Sequence, residues 1–306
     1  MDVDHAGFLG KNEVNMENKI FVVTGATSGI GKALAMDVAK SGETTVIVAR
    51  DADRGQAVLK ELNLQAPNSN VDLQLCDLSI LSSVRNLAEI LKSRYEKINV
   101  LINNAGVYKR KRVVTVDGFE EMFAANHLGP FLLTNLLLES LQAAVQADGS
   151  AHVLNITAPS TIQLNFEDLQ GEKDFNSLNA FGASKMANLL FTMGLARRLE
   201  NTGITVNAIH PGLVRSNILK ESILPLRFVT WLIASPAQKA TESILQVATA
   251  PDFEKTTGKF FQRGKEIQPP AYAYDQDAQE KLWKMSELLT DLSYTKGVTP
   301  VNDPHL

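Results

Sequence analysis

Three glycines carry the first chemical signal, in "TGATSGIG" at residues 24–31. Gly25 suits a tight turn, Gly29 lets backbone amides approach a pyrophosphate, and Gly31 permits close contact between a strand and the helix that follows. The N-terminus of that helix then favours an anion. A glycine-rich turn alone is weak, but "KIFVVT" (19–24) precedes it and "GKALAMDVAKSG" follows, which is the strand–turn–helix setting that dinucleotide binding needs.

Arg50 ends the next β-branched run, "TTVIVA" (44–49), where a site reading ribose hydroxyls would place an acid. With Ala49 leaving room, Arg50 can pair with a 2′-phosphate, so NADP(H) is expected rather than NAD(H); the alternative is a surface ion pair with Asp53. Asp77 and Leu78 follow the third run, where Asp77 could accept from an adenine amine, or Asp77 or Ser79 could cap the next helix. No metal site is expected.

Positioning these residues requires a sheet. Strands are predicted at 19–24, 44–49, 71–76, 98–103, 151–156, 204–209 and 258–262, alternating with amphipathic segments such as "LSSVRNLAEILKSRY". That alternation predicts βαβ crossovers and a Rossmann-type, doubly wound, seven-stranded parallel sheet covered on both faces. No Pro-, Gly- or Ser-rich boundary divides the chain, so one domain is expected over 18–292, between polar tails at 1–17 and 293–306. The apolar segment "ILKESILPLRFVTWLIAS", within about 217–236, is expected to act as a lid over a lipophilic small molecule, or else to pack on the domain itself.

Composition narrows the rest. The 306 residues are 44% hydrophobic and 21% charged, ordinary for a globular chain, and a net charge of −4 gives no reason to expect nucleic acid as partner. Cys76 is the only cysteine and the start has no signal-like pattern, which suggests a reducing, cytoplasmic setting. No apolar run reaches the ~20 residues of a transmembrane helix.

Together with "NNAG" (103–106), "ANHLGPFLLTNLLL" (125–138), "NFEDLQ" (165–170), "SKMANLLFTMGLARRL" (184–199) and "HPGLVRS" (210–216), the glycine turn resembles the short-chain dehydrogenase/reductase family, most of all its retinol-dehydrogenase-type branch. The resemblance implies a cofactor site built by Gly25, Thr27, Ser28, Gly29, Ile30, Gly31, Arg50, Asp77, Leu78, Asn104, Ala105, Gly106, Lys185, Pro211, Gly212, Val214 and Ser216, with Asn103 and Ala105 bordering the nicotinamide ribose. It also implies that Asn126 supports a water bound to Lys185, that Lys185 holds ribose hydroxyls, and that a homodimer is possible.

The same resemblance exposes two departures. In "NAFGASKMANLLF" (179–191), Phe181 stands four residues before Lys185, where the family's proton-carrying tyrosine belongs, and "NITA" (155–158) puts Ala158 at the usual serine. Thr157, one residue earlier, should point to the other face of the strand. An introduced tyrosine-to-phenylalanine change would account for Phe181 but leave Ala158 unexplained.

Substitute donors are Tyr108, which follows "NNAG" at the pocket rim, and Ser160 in the loop after Ala158; His127 and His210 read as packing residues. The four basic residues of "YKRKR" (108–112) suggest a solvated loop or a contact for an anionic group. The expected function is an oxidoreductase or divergent enzyme acting on a lipophilic small molecule. The alternatives are an inactive nucleotide-binding or scaffold protein, or a non-redox cyclase or isomerase.

Overall fold

The computed structural model describes residues 19–212 and 237–292. The two tails, the whole of the expected lid, Val214 and Ser216 lie outside the described residues.

Six short runs rich in Val, Ile and Thr form the parallel strands β1 (Ile20–Thr24), β2 (Thr44–Ala49), β3 (Val71–Leu75), β4 (Val100–Asn103), β5 (Ala151–Ile156) and β6 (Ile204–His210). β7 (Phe260–Gln262) extends the parallel set beside β6. The order is β3-β2-β1-β4-β5-β6-β7-β8, so the chain reverses direction of winding between β1 and β4, and a crevice opens at their carboxyl ends. Register is set by apolar pairs across this seam; Val22 lies opposite Val46 on one side and Leu101 on the other.

The expected seven strands are joined by an eighth. β8 (Lys265–Ile267) pairs antiparallel to β7 through a two-residue turn, Arg263 and Gly264, whose φ values of 54° and 71° give the primed geometry that suits a hairpin. Its three residues are short, charged and largely exposed, so it lacks the apolar signature of the other strands. β4 starts two residues later than predicted, because Ile98 N is bonded to Ser140 O outside the ladder.

Helices α1 (Gly29–Lys40) and α2 (Ala52–Gln65) pack on one face with α8 (Ala237–Thr249), around Phe21, Ile47, Leu34 and Ile244. The other face carries α3 (Leu81–Arg94), α5 (Gly129–Leu136), α6 (Leu138–Asp148) and the long α7 (Ser177–Arg198). A short α4 (Glu121–Phe123) runs through a π-helical turn, Ala124–Leu128, into α5.

α9 (Gln276–Thr290) lies across α7 and packs Trp283 onto the Phe131–Phe191 pair, with ring centroids 5.0 and 6.0 Å away. Burying such an aromatic group removes a large apolar area from water and ties α9 to the core. Among the described residues no single helix is long and apolar enough to cross a membrane.

Candidate active site

At the crevice, the ends of β1 and β4 are stitched together by a buried threonine, Thr24, that no motif singles out. Thr24 Oγ1 accepts from the backbone N–H of Asn104 (3.0 Å) and Ala105 (3.1 Å), and the Asn104 side-chain amide donates to Thr24 O at 2.8 Å. The glycine turn closes over this joint. Gly25 has φ +68°, and a Cβ there would lie 2.8 Å from Ala105 Cα; a Cβ on Gly31 would lie 2.5 Å from Gly25 O. Only glycine fits either position.

α1 begins at Ser28, whose side chain makes no capping bond, so the first amides of α1 are not taken up by it. Gly29 (φ 55°) and Ile30 supply the first of these amides beside Thr27. The Asn103 side chain donates to Thr134 Oγ1 and Asn155 Oδ1 (3.0 and 2.9 Å), tying the end of β4 to α5 and β5.

Asp77 Oδ1 accepts from the N–H and hydroxyl of Ser79 (2.9 and 2.7 Å), a tight turn that fixes the loop ahead of α3. Leu78 is buried beside Gly129, the first residue of α5. Arg50 extends from β2 with a 57% exposed side chain, and the carboxylate beside it is Glu121 at 3.6 Å rather than Asp53. Of the basic loop, Lys109 lies 3.4 Å from the same Glu121, and Arg112 donates to Gln170 O at 3.0 Å and faces Glu172 at 3.5 Å.

α7 carries Phe181 and Lys185 one turn apart on one side. Lys185 is only 6% exposed, and burial lowers its pKa to about 8. Its Nζ lies 5.4 Å from the centre of the Phe181 ring, close enough for the ring's negative face to attract the ammonium. Tyr108 meets the same ring edge-on, with centroids 5.7 Å apart.

The Tyr108 hydroxyl does not turn towards Lys185. It shares a 3.1 Å hydrogen bond with Ser177 Oγ in the first turn of α7, about 12 Å along the helix axis from the level of Lys185. Thr157 Oγ1 donates to Lys185 O at 3.0 Å, which commits it to the helix backbone, while Ala158 follows it with no polar atom. Ser160 is buried, accepts from Ile162 N at 3.2 Å, and lies against Gly182, where a Cβ would come within 3.2 Å of its Oγ.

Asn126 is fully buried in the π-helical turn. Its Oδ1 accepts from Val107 N (2.7 Å), and its Nδ2 donates to Val107 O and Ser184 Oγ (both 3.0 Å). Its side chain therefore braces the loop after Gly106 against α7. His127 is buried among Phe123, Phe131 and Phe191, bonded to Ser286 Oγ at 2.8 Å, with its pKa pushed down to about 3 by burial. His210 packs near Phe260, and burial lowers its pKa. Both histidines serve packing. A cavity of about 460 Å³ opens at the end of β6, where Pro211 and Gly212 line it with Lys239, Ser243 and Arg263.

The comparisons with known proteins agree with this architecture. The short chain dehydrogenase family profile matches residues 19–224. Retinol dehydrogenase 12 of Mus musculus is 40% identical over 291 residues, covering 93% of this chain and 90% of that protein. Retinol dehydrogenase 13 of Homo sapiens is 33% identical over 292 residues, covering 92% and 87%.

Among solved structures, an uncharacterized protein from Mycobacterium Paratuberculosis superposes with a TM-score of 0.71 at 30% identity, covering 90% of this chain and 95% of that one. A short chain dehydrogenase from Burkholderia cenocepacia, solved in complex with NADP, superposes at 0.63 with 22% identity, covering 80% and 95%, and shares the fold. With its stitched glycine crevice, its α7 lysine and these relatives, the chain belongs to the short-chain dehydrogenase/reductase family, in the retinol-dehydrogenase-like branch.

Proposed function

We propose that this family member binds NADP(H) and acts on a lipophilic small molecule through an active site that has lost the usual proton carrier. Phe181 carries the reading: it stands one turn before a buried Lys185, and its ring, packed between Lys185 and Tyr108, has no ionisable group. Short-chain dehydrogenases bind nicotinamide cofactors. The residues at the crevice fit such a group: glycine at 25 and 31 lets the turn close against Ala105 and against the start of α1, and Ser28 leaves the first amides of α1 without a side-chain cap, where a pyrophosphate would be held. When bound, the nicotinamide supplies or accepts a hydride.

The chain's own residues do the rest. Backbone amides of Ser28 to Ile30 face the pyrophosphate, Arg50 reads the 2′-phosphate, and Lys185 holds the ribose hydroxyls. Without a phenol at 181 or a hydroxyl at 158, a developing alkoxide has no acid beside it; each such group is ordinarily worth ~10²–10⁴ or ~10²–10³ in rate. Chemistry that takes its proton from water suits this pocket better, and hydride addition to a conjugated double bond is one such reaction.

Calorimetry with NADPH and NADH tests the cofactor, and a deuterated cofactor with conjugated aldehydes and enones tests the transfer. NADPH is expected to bind more tightly by ~1–3 kcal/mol, the range of a charge-assisted contact. Equal affinities would refute the NADP(H) reading. Tight binding with no deuterium transferred to any acceptor would leave a nucleotide-binding protein without redox chemistry.

A further inference from the structure

Three charges from three elements meet at the edge of the crevice. Glu121, at the head of α4, has a side chain only 11% exposed; one of its oxygens lies 3.6 Å from Arg50 Nη1 and the other 3.4 Å from Lys109 Nζ. Arg50 comes from the end of β2 and is 57% exposed, whereas Lys109 comes from the loop after β4 and is 21% exposed. A carboxylate removed this far from water needs a cation, and here one negative charge has two. One of them can leave without stranding it. The exposed cation is the one free to move, and it is the residue that the proposed function sets against the 2′-phosphate.

We propose that Glu121 is a parking site for Arg50. It holds the guanidinium when no 2′-phosphate is bound, and Lys109 keeps the carboxylate paired once Arg50 turns to the phosphate. The proposal rests on the NADP(H) reading of Arg50. Glu121 is then a positioning residue that sets cofactor preference through Arg50. It weakens NADP(H) binding by competing for the arginine and leaves NAD(H) binding alone. Lys109 strengthens NADP(H) binding only because Glu121 is charged.

The test is a double-mutant cycle by calorimetry on the full chain, with NADPH and NADH titrated into the unaltered protein, Glu121→Gln, Lys109→Met, the double variant and Arg50→Ala. Glu121→Gln is expected to tighten NADPH binding about two- to fivefold, the scale of a half-exposed ion pair, with NADH unchanged. Lys109→Met is expected to weaken NADPH binding by a similar factor, and to have no effect once Glu121 is glutamine. NADH affinity reports that each variant is folded with an intact crevice.

Two results would overturn the parking role alone. One is Glu121→Gln shifting both cofactors alike, or neither. The other is Lys109→Met costing the same with or without the Glu121 charge, which would mean that Lys109 meets the phosphate itself. If instead Arg50→Ala leaves NADPH affinity untouched, or the unaltered protein binds neither cofactor, the underlying cofactor reading fails and the parking role with it.

Discussion

Replacing Phe181 by tyrosine and Ala158 by serine is expected to create carbonyl reduction of lipophilic aldehydes with NADPH. The magnitude follows from Lys185. Its Nζ lies 5.4 Å from the centre of the ring that would carry the new hydroxyl, and an opposite charge within ~4–6 Å of an acid favours its ionised form. With its own pKa lowered to about 8, roughly nine-tenths of Lys185 is charged at pH 7. A phenol beside it should therefore fall from ~10 by about 1–3 units, into the range where it can exchange a proton near neutral pH. The gain should be ~10²–10⁴, the ordinary contribution of a positioned general acid. Each single variant should gain less, because hydroxyl and phenol serve one transition state. The assay follows NADPH oxidation together with deuterium transfer to the aldehyde carbon. A double variant that binds NADPH yet stays inert across a broad aldehyde panel would contradict this expectation, since the scaffold around Lys185 would then have diverged beyond two side chains. An unaltered protein already as fast as the double variant would refute it differently, by showing that another residue delivers the proton.

Two further outcomes concern stability. His127 and His152 are buried and neutral in the fold, with pKa values lowered from 6.5 to about 3 and about 4 by burial, so each takes up a proton on unfolding below 6.5. Their stability contribution is intact above that pH and falls as the pH drops towards 4, by about 2 kcal/mol per histidine at pH 5. Urea midpoints at pH 7.5 and pH 5 measure it, and equal midpoints would contradict it. Trp283→Ala should cost ~3–5 kcal/mol by leaving a cavity against Phe131 and Phe191 and removing the ring under the Arg198 guanidinium, 4.0 Å away. Guanidinium denaturation reads that loss, and a change below 1 kcal/mol would mean that α9 is not anchored there.

The parts of this molecule that a reader of the sequence can find are those whose information is local. The turn after β1 is legible because Gly25, Gly29 and Gly31 sit within one short loop and obey one geometric demand. β2 and β5 are legible because each is a short, fully buried run in which β-branched and aliphatic residues outweigh the polar ones. β8 escapes notice because an edge strand of "KEI" is decided by its pairing with β7 rather than by its own composition. Arg50 was visible as a candidate, but its neighbour Glu121 was not, since nothing in either local stretch encodes a contact between the end of β2 and α4. The same holds for Tyr108. Its position directly after "NNAG" is readable, whereas its burial and the turn of its hydroxyl towards Ser177 depend on how the loop after β4 lies against α7.

The placement of α9 has a consequence for the order in which the protein is made. Every strand among the described residues precedes α9 in the chain, so a nascent polypeptide leaves the ribosome with β1 to β8 and α7 before Trp283 and Ser286 are available. During that interval Phe131 and Phe191 lack their cover, and the buried ring of His127 lacks its hydrogen bond to Ser286. His127 adjoins Asn126, and Phe191 lies on the same helix as Lys185. α9 thus closes the support of the crevice from behind, and chaperone demand should be concentrated in the time between synthesis of α7 and synthesis of α9.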